Sequence, residues 1–112
     1  MDLVIKRSQW LRGEGGDDSY LLRQEDGKMC CLGFLGLALG ITSAELLGEQ
    51  NPRDASDDLN RWPEAICKNG LDTPLACSLM LVNDNTSISE KCRERTITAA
   101  MKEAGINVTF ED

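Results

Sequence analysis

Residues 27–40, GKMCCLGFLGLALG, contain two adjacent cysteines followed by a glycine-spaced apolar run, and they carry the strongest indication of the fold. Three leucines recur at i, i+3 and i+7, the spacing of one helix face: Leu32, Leu35 and Leu39. The pattern predicts a helix from Cys31 to Leu39. Three glycines follow a second face: Gly33, Gly36 and Gly40. Since an interior glycine costs about 1 kcal/mol of helix propensity, we expect another backbone to approach that face, and Gly40 to end the helix.

The two cysteines of this stretch, Cys30 and Cys31, are interpreted as packing residues. A helix N-terminus can lower the pKa of a thiol and make it a nucleophile. However, flanking residues such as Met29 and Leu32 are apolar, and cysteine commonly behaves as a small buried hydrophobe. The chain has five cysteines and no CxxC pair, so we expect free thiols and no bridge between the adjacent two. Together with Leu32 and Gly33, they are predicted to be structural.

The absence of histidine limits the chemistry open to this chain. Cys-His and Ser-His nucleophile pairs cannot form within it, and neither can zinc sites of the Cys2His2 or Cys3His type. No spacing of carboxylates singles out a magnesium site, so we predict neither a metal nor a cofactor. We therefore expect a protein that is not an enzyme, and a thiol-dependent enzyme is the least favoured alternative.

The net charge of −7 over 112 residues disfavours direct binding to nucleic acid, because a phosphate backbone would be repelled. An acidic domain complements basic surfaces, including the nucleic-acid-binding faces of other proteins. The alternative is that the charge only maintains solubility. The predicted partner-binding residues are the acidic loop residues Asp17, Asp18, Asp54, Asp57 and Asp58. No apolar run reaches the ~20 residues of a membrane span and no secretory signal is evident, so we expect a cytoplasmic protein without a membrane partner.

A second set of residues is a candidate site for a small ligand. Aromatic and arginine side chains can together grip a peptide or stack on a nucleobase. The predicted set is Trp10, Arg12, Arg23, Arg61 and Trp62, with Lys68 as a further cation. For Trp10 a place in the core is favoured, because its context is regularly apolar. For Trp62, which follows a polar loop, core and site both stay open.

The whole chain, residues 1–112, is predicted to be one α+β domain, with a mainly antiparallel sheet of three to four strands packed on about four helices. Residues 2–6 form a β-branched first strand. Residues 19–22 and 28–30 are predicted to pair across a hairpin turn at Asp26-Gly27. A last edge strand, which alternates through Ile106, Val108 and Phe110, is a candidate partner for residues 2–6.

Capping residues mark the helix starts. The predicted starts after the first helix are TSAE at 42–45, Thr73-Pro74 and SISE at 87–90. The third helix is expected to stop at residues 83–85, and the last to run to about Ala104, with Gly105 as its stop. Residues 49–61 combine Asn, Pro, Asp and Ser with almost no apolar anchor, so they are predicted to be a flexible loop.

Three segments make the chain resemble a loose group of small, uncharacterised phage and prophage accessory proteins. They are WLRG at 10–13, GKMCCLG at 27–33, and LVND at 81–84, which ends a helix in that group. The resemblance spans most of residues 8–104. It implies a phage origin and action in the cytoplasm of an infected bacterium, but it supplies no catalytic residue. Small acidic phage proteins of this kind often look like accessory or anti-defence factors.

We therefore expect a non-catalytic inhibitor that binds a host defence protein, such as a nuclease or a nucleic-acid-binding complex, through an acidic surface. The alternative is a protein that sequesters a nucleotide signal in a concave site with basic and aromatic groups. The sequence does not indicate the oligomeric state.

Overall fold

The computed structural model describes residues 1–13, 19–55 and 61–112. Within these residues the chain has an α+β architecture, as the sequence predicts. Its helices are α1 (Cys31–Ala38), α2 (Ser43–Leu46), α3 (Pro74–Asp84) and α4 (Glu90–Glu103). Its strands are β1 (Asp2–Lys6), β2 (Cys67–Lys68), β3 (Leu71–Asp72) and β4 (Asn107–Glu111). Short turns of 3-10 helix cover Arg7–Gln9 and Pro52–Asp54.

The principal sheet joins the two ends of the chain. β1 and β4 pair in parallel, from Asp2 with Asn107 to Lys6 with Glu111. The sequence pairs these two segments correctly, but the predicted antiparallel sheet of three to four strands is wrong. The described residues form two two-stranded sheets, and only the small β2–β3 hairpin is antiparallel. The reason is topological: β4 follows a long helical crossover, which is the connection that returns a chain in the parallel direction.

The hairpin predicted over residues 19–30 is only partly formed. A bond from the Gly27 N–H to the Arg23 oxygen (2.9 Å) closes the turn. Two further backbone hydrogen bonds join the sides, from the Arg23 N–H to the Lys28 oxygen (2.8 Å) and from the Cys30 N–H to the Tyr20 oxygen (3.1 Å). Neither side is a strand. Backbone N–H groups between these two bonds donate to other segments of the chain. The Leu21 N–H donates to the Glu49 oxygen, and the Met29 N–H donates to the Gln9 oxygen. Because the backbone is shared among several neighbours, no regular ladder forms.

α1 is the central helix of the core. Its first six residues, 31–36, are all buried, and the helix contacts β1, α2 and α3. A Cβ atom built on Gly33 would lie 1.8 Å from the backbone oxygen of Leu21. This contact confirms the predicted close approach of another backbone. Gly40 follows the helix end with φ +87°, a conformation that glycine adopts without strain.

Most of the predicted helix caps are in place. Thr42 and Glu45 form a reciprocal capping box on α2, and Thr73 caps α3. The capping box predicted at residues 87–90 is wrong. Ser89 is the cap of α4 and accepts from the Cys92 N–H at 3.2 Å, whereas the Ser87 N–H donates to the Asn85 side chain. The Asn85–Ser87 turn therefore delays the start of α4 beyond the expected cap.

α4, with 14 residues, is amphipathic rather than uniformly apolar. Its buried residues are Arg93, Ile97 and Met101, and charged side chains cover its outer face. In the described ranges, no helix is long and apolar enough to cross a bilayer.

The loop predicted over residues 49–61 lies partly outside the described residues. In its described part Pro52 and Ala55 are buried, and the Arg53 N–H donates to the Asp72 carboxylate at 3.0 Å. These contacts attach residues 49–55 to the domain. Flexibility of the whole loop stays a prediction.

Candidate functional site

The candidate site is built on the carboxyl end of α3, beside the buried Asn83. The Asn83 side-chain oxygen accepts from Trp10 Nε1 at 2.8 Å and from the Cys31 backbone N–H at 3.0 Å. Its amide nitrogen donates to the Leu11 carbonyl oxygen at 2.9 Å. These four residues are called the Asn83 junction below. The junction joins an N-terminal segment and the start of α1 to α3, and Asn83 itself is 0% exposed.

Asp84, the next residue, faces the surface. One carboxylate oxygen accepts from the Asn83 amide at 2.9 Å, and the other accepts from the Ser19 N–H at 2.8 Å. Gly13 packs so closely on Asp84 that a Cβ atom there would lie 2.7 Å from its carbonyl oxygen. Residues 14–18 lie outside the described part of the chain. Gly13 and Ser19, the described residues on either side of them, both contact Asp84 at the end of α3.

A groove of about 490 Å³ runs along α3 next to Asp84. We call it the α3 groove. One wall is a face of α3 that is formed by Cys77, Met80, Leu81 and Asp84. The opposite wall is formed by three polar residues, Ser19, Gln50 and Asn51. Leu81 is 73% exposed, more than any other large hydrophobic side chain in the described residues. An apolar centre bordered by polar and acidic groups is the composition of a surface that contacts another protein.

The sequence does carry a signal for this face, because Cys77, Leu81 and Asp84 fall at i, i+4 and i+7. Sequence reasoning missed it for a physical reason. Exposed leucines on helices are common, and periodicity alone cannot separate a groove from an ordinary outer face. The opposite wall comes from Gln50 and Asn51, whose proximity to α3 is set by the tertiary structure.

Only one residue of the predicted acidic set can be placed. Asp54 is exposed and lies in the short turn that follows Asn51 of the α3 groove. The Asn51 side chain donates to the Asp54 carboxylate at 3.4 Å. Asp54 therefore adds negative charge near the Asn51 wall of the groove. The other four residues lie outside the described residues: Asp17, Asp18, Asp57 and Asp58.

Trp10 and Arg12, from the predicted ligand-binding set, lie together. Trp10 is fully buried, as the apolar context predicts. The Arg12 guanidinium lies 4.8 Å from the centre of its ring and donates to Glu90 at 2.7 Å. Phe110 packs on the same indole at 4.9 Å between ring centres. Trp10 is therefore a core residue.

The other members of the set contact different parts of the molecule. Trp62 is 4% exposed and lies against Gly36 of α1, so it belongs to the core. Arg61 donates to the carbonyl oxygen of Gly40. Arg23 pairs with Asp26 at 2.6 Å and lowers the pKa of that carboxyl to about 2. The structure thus distributes the five residues over three neighbourhoods.

The adjacent cysteines are buried, free thiols, as predicted. Burial raises the pKa of Cys30 to about 12. Burial, the neighbouring thiol and the charge of Asp84 raise the pKa of Cys31 well above its ordinary value. Both thiols are therefore protonated at neutral pH, the form that is a poor nucleophile. With Leu32 and Gly33, which are also buried, they form the packed start of α1.

Within the described ranges, no three or more cysteine, aspartate or glutamate side chains are grouped to hold a metal ion. No family model, curated protein or solved structure matches this chain. The geometry of the surface, and above all the α3 groove, is therefore what indicates a function.

Proposed function

We propose that this protein is a non-catalytic inhibitor that binds a protein of a bacterial host through the α3 groove. The observation that carries the proposal is the exposure of Leu81, at 73%, beside the carboxylate of Asp84. An apolar side chain of the partner covers Leu81, and a cation of the partner pairs with Asp84. Buried apolar contacts supply most of the binding free energy at such interfaces, whereas the charges set orientation and specificity.

The partner surface is basic. The chain has 19 acidic and 12 basic side chains, and Asp54 lies close to the groove wall at Asn51. A negative field of this kind speeds the encounter with a positively charged surface. The nucleic-acid-binding face of a nuclease or of a defence complex has the required charge. The resemblance to phage accessory proteins supports the same setting, in which a phage protein acts on a host defence.

The buried thiols also support a binding role over a catalytic one. The thiols at the start of α1, Cys30 and Cys31, are poor nucleophiles, because burial raises the pKa of both. Their surroundings exclude the solvent and substrate that a thiolate enzyme needs.

The test is affinity capture from bacterial lysate with the tagged full chain and two matched variants. Leu81→Asp places a charged carboxylate where the partner's apolar side chain must fit. Leu71→Asp makes the same chemical change at a leucine that is 60% exposed on β3 and does not line the groove. We expect Leu81→Asp to abolish capture of the partner and Leu71→Asp to retain it.

Salt dependence provides a second readout from the same experiment. Since the partner is basic, capture should weaken as the salt concentration rises. Equal capture by both aspartate variants would show that the α3 groove is not the binding surface. Capture of no host protein by the unaltered chain would overturn the inhibitor proposal itself.

A further inference from the structure

A second groove, of about 600 Å³, lies between α4 and the end of β4. Its charges differ from those of the chain as a whole. Four of the twelve basic side chains line it: Arg7, Lys91, Arg95 and Lys102. One carboxylate, that of Glu94, and one aromatic ring, that of Phe110, line it as well. We call it the α4 groove. It is a local positive site on a protein whose net charge is −7.

The cations of the α4 groove are of two kinds. Arg7 is fully engaged, because it donates to both carboxylate oxygens of Glu94 at 2.9 and 3.0 Å and to Asp112 at 2.8 Å. The other three cations are exposed and form no ion pair with any described residue: Lys91, Arg95 and Lys102. Since Glu94 is matched by Arg7, the positive charge of these three is uncompensated within the groove.

The three cations follow one face of α4. They stand at i, i+4 and i+11, and at 1.5 Å of rise per residue they span about 16 Å along the helix. Each is a hydrogen-bond donor that suits phosphate oxygens. Phe110, half-buried on β4, closes the groove with an aromatic surface. The arrangement joins a row of phosphate-binding donors to a ring on which a base can stack.

Screening of charges by salt favours a small anionic ligand over a long nucleic acid in this groove. At physiological ionic strength the Debye length is about 8 Å, so a ligand inside the α4 groove is governed by the cations that touch it. A long nucleic acid would also run over the acidic remainder of the surface, which repels it. The groove volume is within the range of about 300–1,000 Å³ that holds small molecules.

We propose that the α4 groove binds a small ligand with two or more phosphate groups, of the nucleotide class. Lys91, Arg95 and Lys102 pair with the phosphate oxygens, and Phe110 contacts the base. The site is separate from the α3 groove and does not depend on the inhibitor function. None of its residues belongs to the ligand-binding set that the sequence suggests.

The test is isothermal titration of the full chain with ATP, GTP, a cyclic dinucleotide and inorganic tripolyphosphate. We expect saturable binding of at least one nucleotide, tighter than tripolyphosphate, because only the nucleotide can use Phe110. No saturable binding of any nucleotide up to millimolar concentration would overturn the proposal. Equal affinity for tripolyphosphate would also overturn it, because the site would then recognise phosphate without a base.

A matched pair of variants locates the site. Lys91→Gln/Arg95→Gln removes two charges from the groove, and Arg53→Gln/Lys68→Gln removes one lysine and one arginine that are exposed elsewhere. We expect the groove variant to raise the Kd at least tenfold and the control to leave it within about twofold, consistent with charge-assisted hydrogen bonds. Equal losses in both variants would show that the binding only reflects net charge.

A second comparison separates the two proposals. Leu81→Asp should leave nucleotide binding unchanged, since it lies on α3. A different outcome is that Lys91→Gln/Arg95→Gln abolishes capture of a host protein that Leu81→Asp still captures. The α4 groove would then bind an acidic protein segment, and the nucleotide assignment would be wrong.

Discussion

The Asn83 junction and the α4 groove both gather polar groups, and the two regions differ in how those groups are satisfied. In the junction the side chain of Asn83 has a protein partner at both its oxygen and its nitrogen. In the groove Lys91, Arg95 and Lys102 have no ion-pair partner among the described residues. Polar groups with complete internal partners hold the fold, whereas groups left open at the surface are available to a ligand.

The side chain of Arg93 is only partly satisfied by hydrogen bonds. It is 5% exposed, and its Nη1 donates to the Arg12 and Asn83 carbonyl oxygens at 2.8 and 3.0 Å. The second of these carbonyls belongs to the last turn of α3, where a cation is favoured by the helix dipole. The Nε of Arg93 is buried with no hydrogen-bond partner among the described residues. Arg93 thus ties α4 to the junction and does not face the groove.

The largest expected effect comes from the junction. Asn83→Leu keeps a similar volume but leaves Trp10 Nε1 and the Cys31 N–H without their buried partner, whereas the Leu11 carbonyl oxygen still accepts from Ser19 Oγ at 3.3 Å. At about 1–3 kcal/mol for each of these two unsatisfied groups, the free energy of unfolding should fall by about 2–6 kcal/mol. Urea denaturation measures it, with the exposed Asn107→Leu as the control. A loss below about 1 kcal/mol would contradict the stabilising role of the junction.

The next effect tests the backbone contact that sets the start of α1. Gly33→Ala places a Cβ atom 1.8 Å from the Leu21 backbone oxygen, whereas Gly36→Ala places one 2.9 Å from a Leu46 side-chain carbon. Since a side chain can turn away and a backbone cannot, Gly33→Ala should lower the free energy of unfolding by about 3 kcal/mol. Gly36→Ala should cost clearly less. Equal losses in thermal and urea unfolding would refute the distinction.

A smaller effect concerns the buried thiol beside Asn83. Cys31→Ser introduces a hydroxyl that needs a partner, so it should cost about 1–3 kcal/mol, and Cys31→Ala should cost less. Both variants should keep capture of the host partner below their melting temperatures. A Cys31→Ala variant that folds normally but has lost all binding would show that the thiol is functional.

The same thiols predict a dependence on alkaline pH. Their pKa is raised in the folded state from an ordinary value near 9, to about 12 for Cys30. Between these values the unfolded chain loses protons that the folded chain keeps, so stability is complete below about pH 9 and falls as the pH rises toward 12. The slope is at most about 1.4 kcal/mol per pH unit for each thiol. Cys30→Ala/Cys31→Ala should flatten the curve of urea midpoint against pH, and an unchanged slope would contradict the burial of the thiols.

The smallest expected effect on stability is at the α4 groove. Lys91→Gln/Arg95→Gln changes exposed side chains that have no ion pair with described residues, so the free energy of unfolding should move by no more than about 0.5 kcal/mol for each change. Circular dichroism with thermal unfolding measures it. A large loss of unfolding free energy would mean that the two cations stabilise the fold, and that the α4 groove does not differ from the Asn83 junction in this respect.

Local pattern located the helices and the two terminal strands, but it also predicted strands at residues 19–22 and 28–30 that do not form and placed the cap of α4 at Ser87 instead of Ser89. The leucine spacing of residues 32–39 located α1, Thr42 and Thr73 marked their helix starts, and the alternation after Gly105 located β4. These features depend on interactions within a few residues, such as capping bonds and helix periodicity. The close approach at Gly33 was also predictable, because a glycine inside a helix carries a cost that a contact must offset.

The places where those elements meet are set by tertiary contacts. The parallel direction of β1 and β4, the burial of Asn83 and the division of residues 19–30 among several neighbours all depend on contacts between distant parts of the chain. The two grooves depend on the same contacts, since each is lined by α3 or α4 and by a segment remote from it. Local sequence patterns were sufficient for the helices, the caps at Thr42 and Thr73, the net charge and an apolar core. They could not determine which exposed faces become concave, because concavity belongs to the packing of one element on another.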